Sequence, residues 1–184
     1  MLCLVILIVI QTLAAMKMSV LNKLLEQRAY TDAHTGLPNK DACEVILNNK
    51  ETVAKHTACI MFDLNNLKII NDTKGHSKGD QLILNFARLL RNVIPQKDFV
   101  GRYGGDEFMA VIYNTSKTEI EDILKQLSRE KDRLNSSGNN MPIDYACGWA
   151  ISDADSECTI QMLLDKADYY MYENKQAYKK SKKS

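Results

Sequence analysis

Residues 99–113 of the chain read Phe-Val-Gly-Arg-Tyr-Gly-Gly-Asp-Glu-Phe-Met-Ala-Val-Ile-Tyr. Two runs rich in apolar and aromatic residues flank the pair Gly104-Gly105. Short runs of this composition separated by glycines predict a β-hairpin with a tight turn. Two acidic residues, Asp106 and Glu107, follow the glycines directly, so the turn of the hairpin carries a concentrated negative charge.

Alternating helices and strands are predicted on both sides of this hairpin. Apolar periodicity predicts a helix from Asn39 toward Asn48, a buried strand over 57–62 that ends at Asp63, a helical stretch from Leu67 interrupted at Gly75-His76, a helix over 82–93 closed by Pro95, a helix over 118–134, a strand over 143–151 and a last helix over 160–171. Strands mixed with helices, including one clear hairpin, indicate an α/β or α+β domain with a sheet that is at least partly antiparallel.

The composition excludes several function classes. The chain has 184 residues, with 24 Lys+Arg against 23 Asp+Glu and a formal net charge of +1. A dedicated nucleic-acid binder would show a basic face, so no nucleic-acid partner is expected. The five cysteines are scattered without a C-x-x-C pair, which argues against a disulfide framework and a zinc site. With three histidines and no H-E-x-x-H motif, a histidine-built metal centre is not expected either.

The N-terminus is more apolar than the rest of the chain. Leu2 to Ile10 is unbroken apolar sequence, and the run resumes after Gln11-Thr12 as far as Met16. About fifteen helical residues reach roughly 23 Å, and counting on to Leu21 makes the span sufficient for a bilayer core of roughly 30 Å. We favour a membrane anchor. A signal peptide, which would need a basic n-region, and a buried core helix are the alternatives.

Basic residues follow the apolar run at Lys17, Lys23 and Arg28. The positive-inside rule then places everything downstream in the cytoplasm, at the inner membrane of the cell. The predicted organisation is a membrane-anchor helix over 1–21, an amphipathic linker helix over 22–31, a catalytic or binding domain over 32–180 and a basic tail over 181–184.

Two groups of carboxylates lie at predicted strand ends. Asp63 closes a buried strand, and Asp106-Glu107 follow the hairpin glycines. Carboxylate oxygens are hard ligands suited to Mg²⁺, and two such groups on neighbouring strands can hold metal ions for phosphoryl transfer. Taken singly, each has an ordinary explanation: a helix N-cap for Asp63, a simple turn for Gly104-Gly105, and a solvated acidic pair for Asp106-Glu107.

The combination of motifs is more specific. Five ordered segments carry it: Asp32-x-x-Thr35-Gly36-Leu37-Pro38-Asn39, Asp63-Leu64-Asn65-Asn66-Leu67-Lys68-x-x-Asn71-Asp72, Gly75-His76-x-x-Gly79-Asp80, Arg102-Tyr103-Gly104-Gly105-Asp106-Glu107-Phe108, and Ala167-Asp168-x-x-Met171-Tyr172-x-x-Lys175. Together they resemble the GGDEF family, the diguanylate cyclases, over roughly residues 30 to 180. The resemblance implies a fold like nucleotidyl cyclases and the polymerase palm, with a mixed, partly antiparallel central sheet flanked by helices and preceded by an N-terminal helix.

The resemblance also implies an activity: two GTP molecules are joined into cyclic di-GMP with release of two pyrophosphates, by two-metal phosphoryl transfer across a homodimer. Asp63, Asp106 and the backbone carbonyl of Leu64 would hold Mg²⁺, with Mn²⁺ as a possible substitute. Glu107 would be a further metal ligand or the acceptor of the 3′-hydroxyl proton. Two cations, Lys68 and Arg102, would offset charge at the phosphates.

The remaining implied site residues bind the nucleotide. Asn71 and Asp80 would read guanine with His76 nearby, the glycines Gly104 and Gly105 would let the nucleotide approach, and Lys175 and Lys179 would contact the phosphates. An ionised carboxylate such as Asp80 also matches the N1–H and N2–H₂ donors of guanine and not the N1 lone pair of adenine. Its ordinary alternative is a helix N-cap before Leu82.

Relatives often carry an Arg-x-x-Asp product-inhibition site upstream of the hairpin, and the matching stretch here runs from Pro95 to Asp98. Proline cannot grip a guanine edge or a phosphate as a guanidinium does. Feedback inhibition through this site is therefore predicted to be absent or weak. Two other functions stay open: a catalytically weak or inactive module that binds GTP or cyclic di-GMP, and a membrane-tethered dimerisation adaptor.

Overall fold

A computed structural model describes residues 2–49, 52–53, 56–138, 141–152 and 157–181. Over these residues the chain forms the following elements in order: α1 (Leu2–Tyr30), α2 (Lys40–Leu47), β1 (Ala58–Leu64), α3 (Leu67–Lys74), α4 (His76–Val93), β2 (Phe99–Arg102), β3 (Glu107–Ile112), α5 (Lys117–Ser136), β4 (Tyr145–Ile151) and α6 (Ile160–Ser181). The predicted succession of helices and strands is confirmed, and the hairpin is β2–β3.

The sheet has the strand order β2-β3-β1-β4, and each neighbouring pair is antiparallel. The predicted α+β fold is confirmed. Where a mixed, partly antiparallel sheet was expected, the described strands pair only in the antiparallel sense. Strand β1 is central and buried along its whole length. A fully buried central strand explains why residues 58–64 read as a continuous apolar run and not as an alternating one.

Helices cover both faces of the sheet, and the side chains of β1 alternate between the two cores. Ile60 and Phe62 point into a core formed with α4 and α5, where Phe86 contacts Phe62 edge-on with ring centroids 6.0 Å apart. Cys59 and Met61 point to the opposite face, where α2 and α6 pack. This period of two along β1 decides which side of the sheet each neighbouring residue reaches.

Helix α1 continues without a break through the boundary predicted between residues 21 and 22. By length and composition, its residues from Leu4 to Tyr30 could cross a membrane, and none of the described residues in its most apolar stretch is buried in the structure. Its C-terminal end is fastened to the domain, because the Asn39 side-chain amide donates to the Ala29 carbonyl at 2.7 Å. Because the apolar residues of α1 are exposed, the structure does not support the alternative interpretation of this segment as a buried core helix. The membrane anchor stays a prediction.

Local chemistry explains several helix boundaries. The side chain of Asn39 caps α2 by accepting from the Ala42 amide, and Ser116 and Glu119 form a reciprocal capping box at the start of α5. The alternative interpretation of Asp80 as a helix N-cap is wrong. Helix α4 begins at His76, with Gly75 at its N-cap position, so Asp80 lies inside the helix. The basic tail predicted over 181–184 lies outside the described residues from 182 onward.

Gly148 sets how closely α6 approaches the sheet. A Cβ atom at this position of β4 would lie 2.1 Å from the Met171 nitrogen and 2.2 Å from the Ala167 oxygen. Both atoms belong to the backbone of α6, so a side chain cannot be accommodated by a rotamer change. The absence of a side chain at Gly148 therefore permits direct contact of the helix backbone with the strand.

We expect Gly148→Ala to lower the free energy of unfolding by about 1–3 kcal/mol, since α6 must move away from β4. Urea denaturation followed by the fluorescence of Trp149, the only tryptophan of the chain, measures the change. Gly105→Ala is the matched control, because a Cβ there meets nothing within 4 Å, and its effect should stay within about 0.5 kcal/mol. Equal stabilities for the two variants would contradict the packing assigned to Gly148.

Candidate active site

Antiparallel pairing brings the predicted carboxylates to one end of the two central strands. Asp63 on β1 lies directly opposite Glu107 on β3. The Leu64 amide donates to the Asp106 carbonyl at 2.9 Å, so the hairpin turn lies against the end of β1. Directly opposed residues on an antiparallel pair have Cβ atoms about 5 Å apart. Two stretches separated by more than forty residues in the sequence thus meet at one edge of the sheet.

The Asp63 side chain is largely buried, and only one of its two carboxylate oxygens accepts a hydrogen bond from the described residues. Its side chain is 9% exposed, and its Oδ2 atom accepts a hydrogen bond from the Lys175 ammonium at 2.5 Å. Its other oxygen, Oδ1, is buried and has no hydrogen-bond partner among the residues that the structure describes. Burying an anionic oxygen without a partner is costly. The free oxygen is therefore a good candidate for binding a cation.

Glu107 lies in a strongly negative environment. Partial burial raises the pKa of Glu107 above its usual range, and the neighbouring charges of Asp106, Asp63 and Asp168 raise it further, against the opposing effect of Lys175. The sequence analysis did not identify Asp168 as a site residue. Asp168 precedes Lys175 by seven residues on α6, a spacing that puts both on one face of the helix; that spacing is the signal that could have found it.

The carboxylates at this site have the chemistry that a hard divalent cation prefers, although by themselves they do not form a complete coordination sphere. Asp63, Asp106 and Glu107 offer carboxylate oxygens, the ligand type that Mg²⁺ prefers. Among the described residues, however, no three Asp, Glu, His or Cys side chains converge closely enough to hold a metal ion by themselves. Water and phosphate oxygens usually complete a Mg²⁺ site, so a set of few protein ligands is compatible with this metal.

The hairpin turn comprises four residues, Tyr103 to Asp106, and the amides of Tyr103 and Gly104 both donate to the Glu107 carbonyl. A Cβ atom on Gly104 would lie 2.6 Å from Glu107 Oε2. The glutamate side chain folds over Gly104, so a side chain at this position would require Glu107 to move. Gly105 is exposed and open, which leaves its predicted contact with a nucleotide as a prediction.

The Arg102 side chain connects the hairpin turn to Asp32. Its guanidinium contacts both carboxylate oxygens of Asp32 at 3.2 Å and donates to the Gly105 carbonyl at 2.8 Å. The side chains of Arg102 and Asp32 are 17% and 21% exposed. Thr35 donates to the same carboxylate from its amide and its hydroxyl. The predicted role of Arg102 at the phosphates stays a prediction, because in the structure this guanidinium braces the turn.

The predicted guanine-binding residues form a second group on α3 and α4. Asn71 on α3 faces Gly79 on α4, where a Cβ atom would lie 2.0 Å from Asn71 Oδ1. That oxygen is buried without a partner. His76 and Asp80 are exposed on the first turns of α4. The structure thus places Asn71 beside the helix that carries Asp80, with its amide oxygen buried against Gly79.

Two predicted phosphate contacts flank the carboxylates. Lys68 is exposed in the first turn of α3, which follows β1 after the short connection Asn65-Asn66. Asn66 has a φ of 63° and supplies no side-chain cap to α3; asparagine tolerates this left-handed conformation better than most residues. Lys175 contacts Asp63 as described. Lys179 lies in α6, but its side chain is outside what the structure describes.

The stretch matching a product-inhibition site forms a tight turn. The Asp98 amide donates to the Pro95 carbonyl at 3.0 Å, and Asp98 Oδ1 accepts from the Tyr113 amide at 3.0 Å. Asp98 therefore ties the start of β2 to the end of β3. Glu119 and Asp122 line the same cleft, which makes its surroundings acidic.

These observations define an α+β domain with carboxylates at one end of its two central strands and lysines beside them. The family model described as "Diguanylate cyclase, GGDEF domain" matches residues 29–181. The chain belongs to the GGDEF family, and the resemblance found in its motifs is confirmed.

Individual relatives agree with this assignment. The chain is 29% identical to diguanylate cyclase DgcP of Escherichia coli, over 87% of this chain and 48% of that protein. It is 32% identical to cyclic di-GMP phosphodiesterase PdeB of Shewanella oneidensis, over 78% of this chain and 17% of that protein. The chain thus spans half or less of these relatives.

A solved structure shares the fold. The coiled coil and GGDEF domain of DgcB from Caulobacter crescentus, in complex with c-di-GMP, has a TM-score of 0.77 and 22% identity, covering 91% of each chain. At this level of identity the likeness concerns the fold.

The Asp32–Arg102 contact gives a pH-dependent prediction. Partial burial alone would raise the pKa of Asp32, but the hydrogen bonds from Thr35 and the guanidinium of Arg102 outweigh it, so the pKa is lowered from 3.8. A carboxylate with a lowered folded-state pKa stabilises the fold above its ordinary pKa. This stabilisation is lost as the pH falls through the folded-state value.

We therefore expect Asp32→Asn to lower the free energy of unfolding by about 1 kcal/mol at neutral pH. The gap to the wild type should begin to shrink below about pH 4, where the carboxyl of the unfolded chain takes up a proton, and it should close as the pH falls through the lowered folded-state pKa. Urea denaturation at a series of pH values measures this. Asp41→Asn, at an exposed acid in the first turn of α2, is the control. A pH-independent gap would contradict the charge-assisted role of Asp32.

Proposed function

We propose that the chain is a diguanylate cyclase that condenses two GTP molecules into cyclic di-GMP and releases two pyrophosphates. The observation that carries this proposal is the pairing of Asp63 with Glu107 at the end of the two central strands, beside an intact Gly104-Gly105-Asp106-Glu107 turn. Membership of the GGDEF family and the relative DgcP support it. In the proposed reaction each 3′-oxygen bonds to the α-phosphorus of the other GTP, and each bond from phosphorus to pyrophosphate breaks.

The carboxylates would hold Mg²⁺, or Mn²⁺ in its place. Asp63 and Asp106 would be the charged ligands, with the Leu64 carbonyl and Glu107 assisting. A bound divalent ion would polarise the phosphate and stabilise the developing charge. The raised pKa of Glu107 suits a group that accepts the proton of the 3′-hydroxyl, because a carboxylate of higher pKa is a stronger base.

Cationic and amide groups around the carboxylates would bind the triphosphate. Helix α3 begins directly after β1 without a side-chain cap, so its first amides are available to phosphate oxygens. Lys68 lies in that first turn, and Lys175 lies against Asp63. Lys179 would add a third lysine from α6. Arg102 would act chiefly by holding the turn through Asp32 and the Gly105 carbonyl.

Guanine would bind between α3 and α4. Asp80 offers acceptor oxygens to the N1–H and N2–H₂ groups of guanine, and Asn71 has a buried oxygen without a partner that a base edge could satisfy. His76 lies one turn before Asp80 on the exposed side of α4. Adenine lacks the N1 donor, so the pair would favour GTP over ATP.

Ring closure requires two domains, since one domain holds one GTP and each nucleotide must reach the other. We propose a homodimer with the sites face to face, and an anchor formed by α1 that keeps the domain on the cytoplasmic side of the inner membrane. The exposed apolar surface of α1 and the basic residues that follow its first half support the anchor. The coiled coil of the DgcB structure supports pairing through the preceding helix.

A catalytically inactive module that binds GTP or cyclic di-GMP is the second candidate. It is favoured by the relative PdeB, a phosphodiesterase that contains a matching stretch. The intact turn and the unpartnered Asp63 oxygen favour the enzyme, because neither is needed for a purely regulatory domain.

We expect Asp106→Asn to lower the rate of cyclic di-GMP formation by at least about a hundredfold, since it removes a charged ligand near the reacting phosphates. The assay incubates the chain with GTP and Mg²⁺ and resolves the products by mass spectrometry, with ATP as a competing substrate. Asp41→Asn on α2 is the control and should keep its activity. Substantial product from the Asp106→Asn variant would contradict the metal assignment, whereas GTP binding without product in the wild type would favour the regulatory module.

Product feedback gives a separate prediction. Because Pro95 replaces an arginine and Asp98 already binds the Tyr113 amide, the wild type should bind cyclic di-GMP weakly at this cleft. Pro95→Arg should tighten binding by about tenfold or more, since it restores a bidentate donor. Calorimetry measures this, with Gln96→Arg as a charge-matched control. Tight wild-type binding that is lost in Asp98→Asn would overturn the prediction.

A further inference from the structure

We propose that Lys175 takes the place of the divalent ion in the nucleotide-free protein. Its ammonium binds the Asp63 carboxylate and thereby competes with metal for this ligand. When a triphosphate binds, its oxygens attract the ammonium away from Asp63. The inference rests on the proposed function, in which Asp63 is a metal ligand. It predicts that metal and nucleotide bind cooperatively and that a divalent ion alone binds poorly.

The geometry places a cation where a metal ion would otherwise sit. The Lys175 ammonium lies 2.5 Å from Asp63 Oδ2, in a pair whose side chains are 26% and 9% exposed. Both side chains of this ion pair are largely shielded from solvent, so the contact is screened less than the exposed pairs found elsewhere on the helices. The lysine reaches Asp63 from α6, whereas Asp63 lies on β1, so the contact joins two elements that are far apart in the sequence.

The charge balance of the site depends on this lysine. The charges of Asp63, Asp106 and Asp168 all act on Glu107, and Lys175 opposes them. Within the described part of the chain, Asp63 Oδ1 has no partner, so the side-chain contact that stabilises the Asp63 carboxylate there is the one with Lys175. Without the ammonium, several like charges would face one another with little compensation.

A divalent ion at Asp63 would have to displace the ammonium or share the carboxylate with it. Sharing places two mutually repelling cations on one carboxylate, and displacement leaves Lys175 near the site without its counter-ion. Either event weakens binding of metal alone.

A triphosphate changes this balance because it brings new anionic oxygens within reach of a long, flexible side chain. Lys175 could then leave Asp63 for a phosphate, and the Asp63 carboxylate would be available to the divalent ion without a competing ammonium. Each ligand thus favours the other, and by reciprocity the metal must raise the affinity for the nucleotide by the same factor. The exchange would also keep the site from binding free metal in the absence of substrate.

The test measures binding of Mn²⁺ without nucleotide, from the electron paramagnetic resonance signal of free Mn²⁺, using the full chain in detergent. Lys175→Gln should bind Mn²⁺ alone about tenfold more tightly than the wild type, a change within the usual range of coupling between sites. Lys175→Arg keeps the charge and should bind Mn²⁺ as weakly as the wild type. Lys166→Gln, at an exposed lysine on the same helix, should also match the wild type.

A second titration adds a non-hydrolysable GTP analogue. In the wild type the analogue should tighten Mn²⁺ binding, and in Lys175→Gln this enhancement should fall about tenfold. Equal Mn²⁺ affinity of Lys175→Gln and wild type would overturn this role of Lys175, whether or not the analogue binds. Failure of the wild type to bind the analogue would instead contradict the proposed function, and the titration with Mn²⁺ alone would still decide the role of Lys175.

Discussion

The antiparallel pairing of β1 with β3 is the constraint on which the site depends. It sets Asp63 opposite Glu107 and draws the turn at Asp106 against Leu64. Because side chains alternate along a strand, a slip of one residue would turn Asp63 toward the opposite face and bring Phe62 out of its aromatic core. The packing of Phe62 against Phe86 and Tyr145 therefore protects the register, and with it the position of the carboxylate. Core and site are specified by the same pairing.

The sequence predicted the elements that depend on local pattern and missed contacts that depend on where a helix lies. The hairpin and the strand before Asp63 follow from apolar runs bounded by glycine or charge, so both could be predicted. The start of α4 was missed because neither Gly75 nor His76 is a typical cap, and Asp80 therefore seemed a better start. The contact of Arg102 with Asp32 spans seventy residues, and the contact of Lys175 with Asp63 spans more than a hundred. No local pattern encodes such distances; motif resemblance identified the residues, but not these partners.

A chain of polar contacts joins the end of α1 to the hairpin turn. The Asn39 side chain holds the Ala29 carbonyl, Asp32 follows two residues after α1 ends, and Arg102 connects Asp32 to the Gly105 carbonyl. The contact of Asp32 with Arg102 is charge-assisted and partly buried, so it is stiffer than an exposed surface pair. The hydrogen bond of Asn39 with Ala29 is neutral and exposed. The C-terminal end of α1 is thereby joined to the segment that braces the turn before Asp106. The end of α1 and the turn before Asp106 thus share one structural support.

Gly148 connects the packing of the domain to the charge balance of the site. Since it has no side chain, the backbone of α6 rests directly on β4 at Ala167 and Met171. Met171 precedes Lys175 by one helical turn, so the depth of this contact sets how far the lysine must reach to Asp63 on the neighbouring strand. A helix displaced outward by a methyl group would lengthen a contact now at 2.5 Å, and electrostatic attraction between partly buried charges weakens with separation. Gly148 on β4 thus influences the contact of Lys175 with Asp63, because it sets how closely the backbone of α6 lies to the sheet.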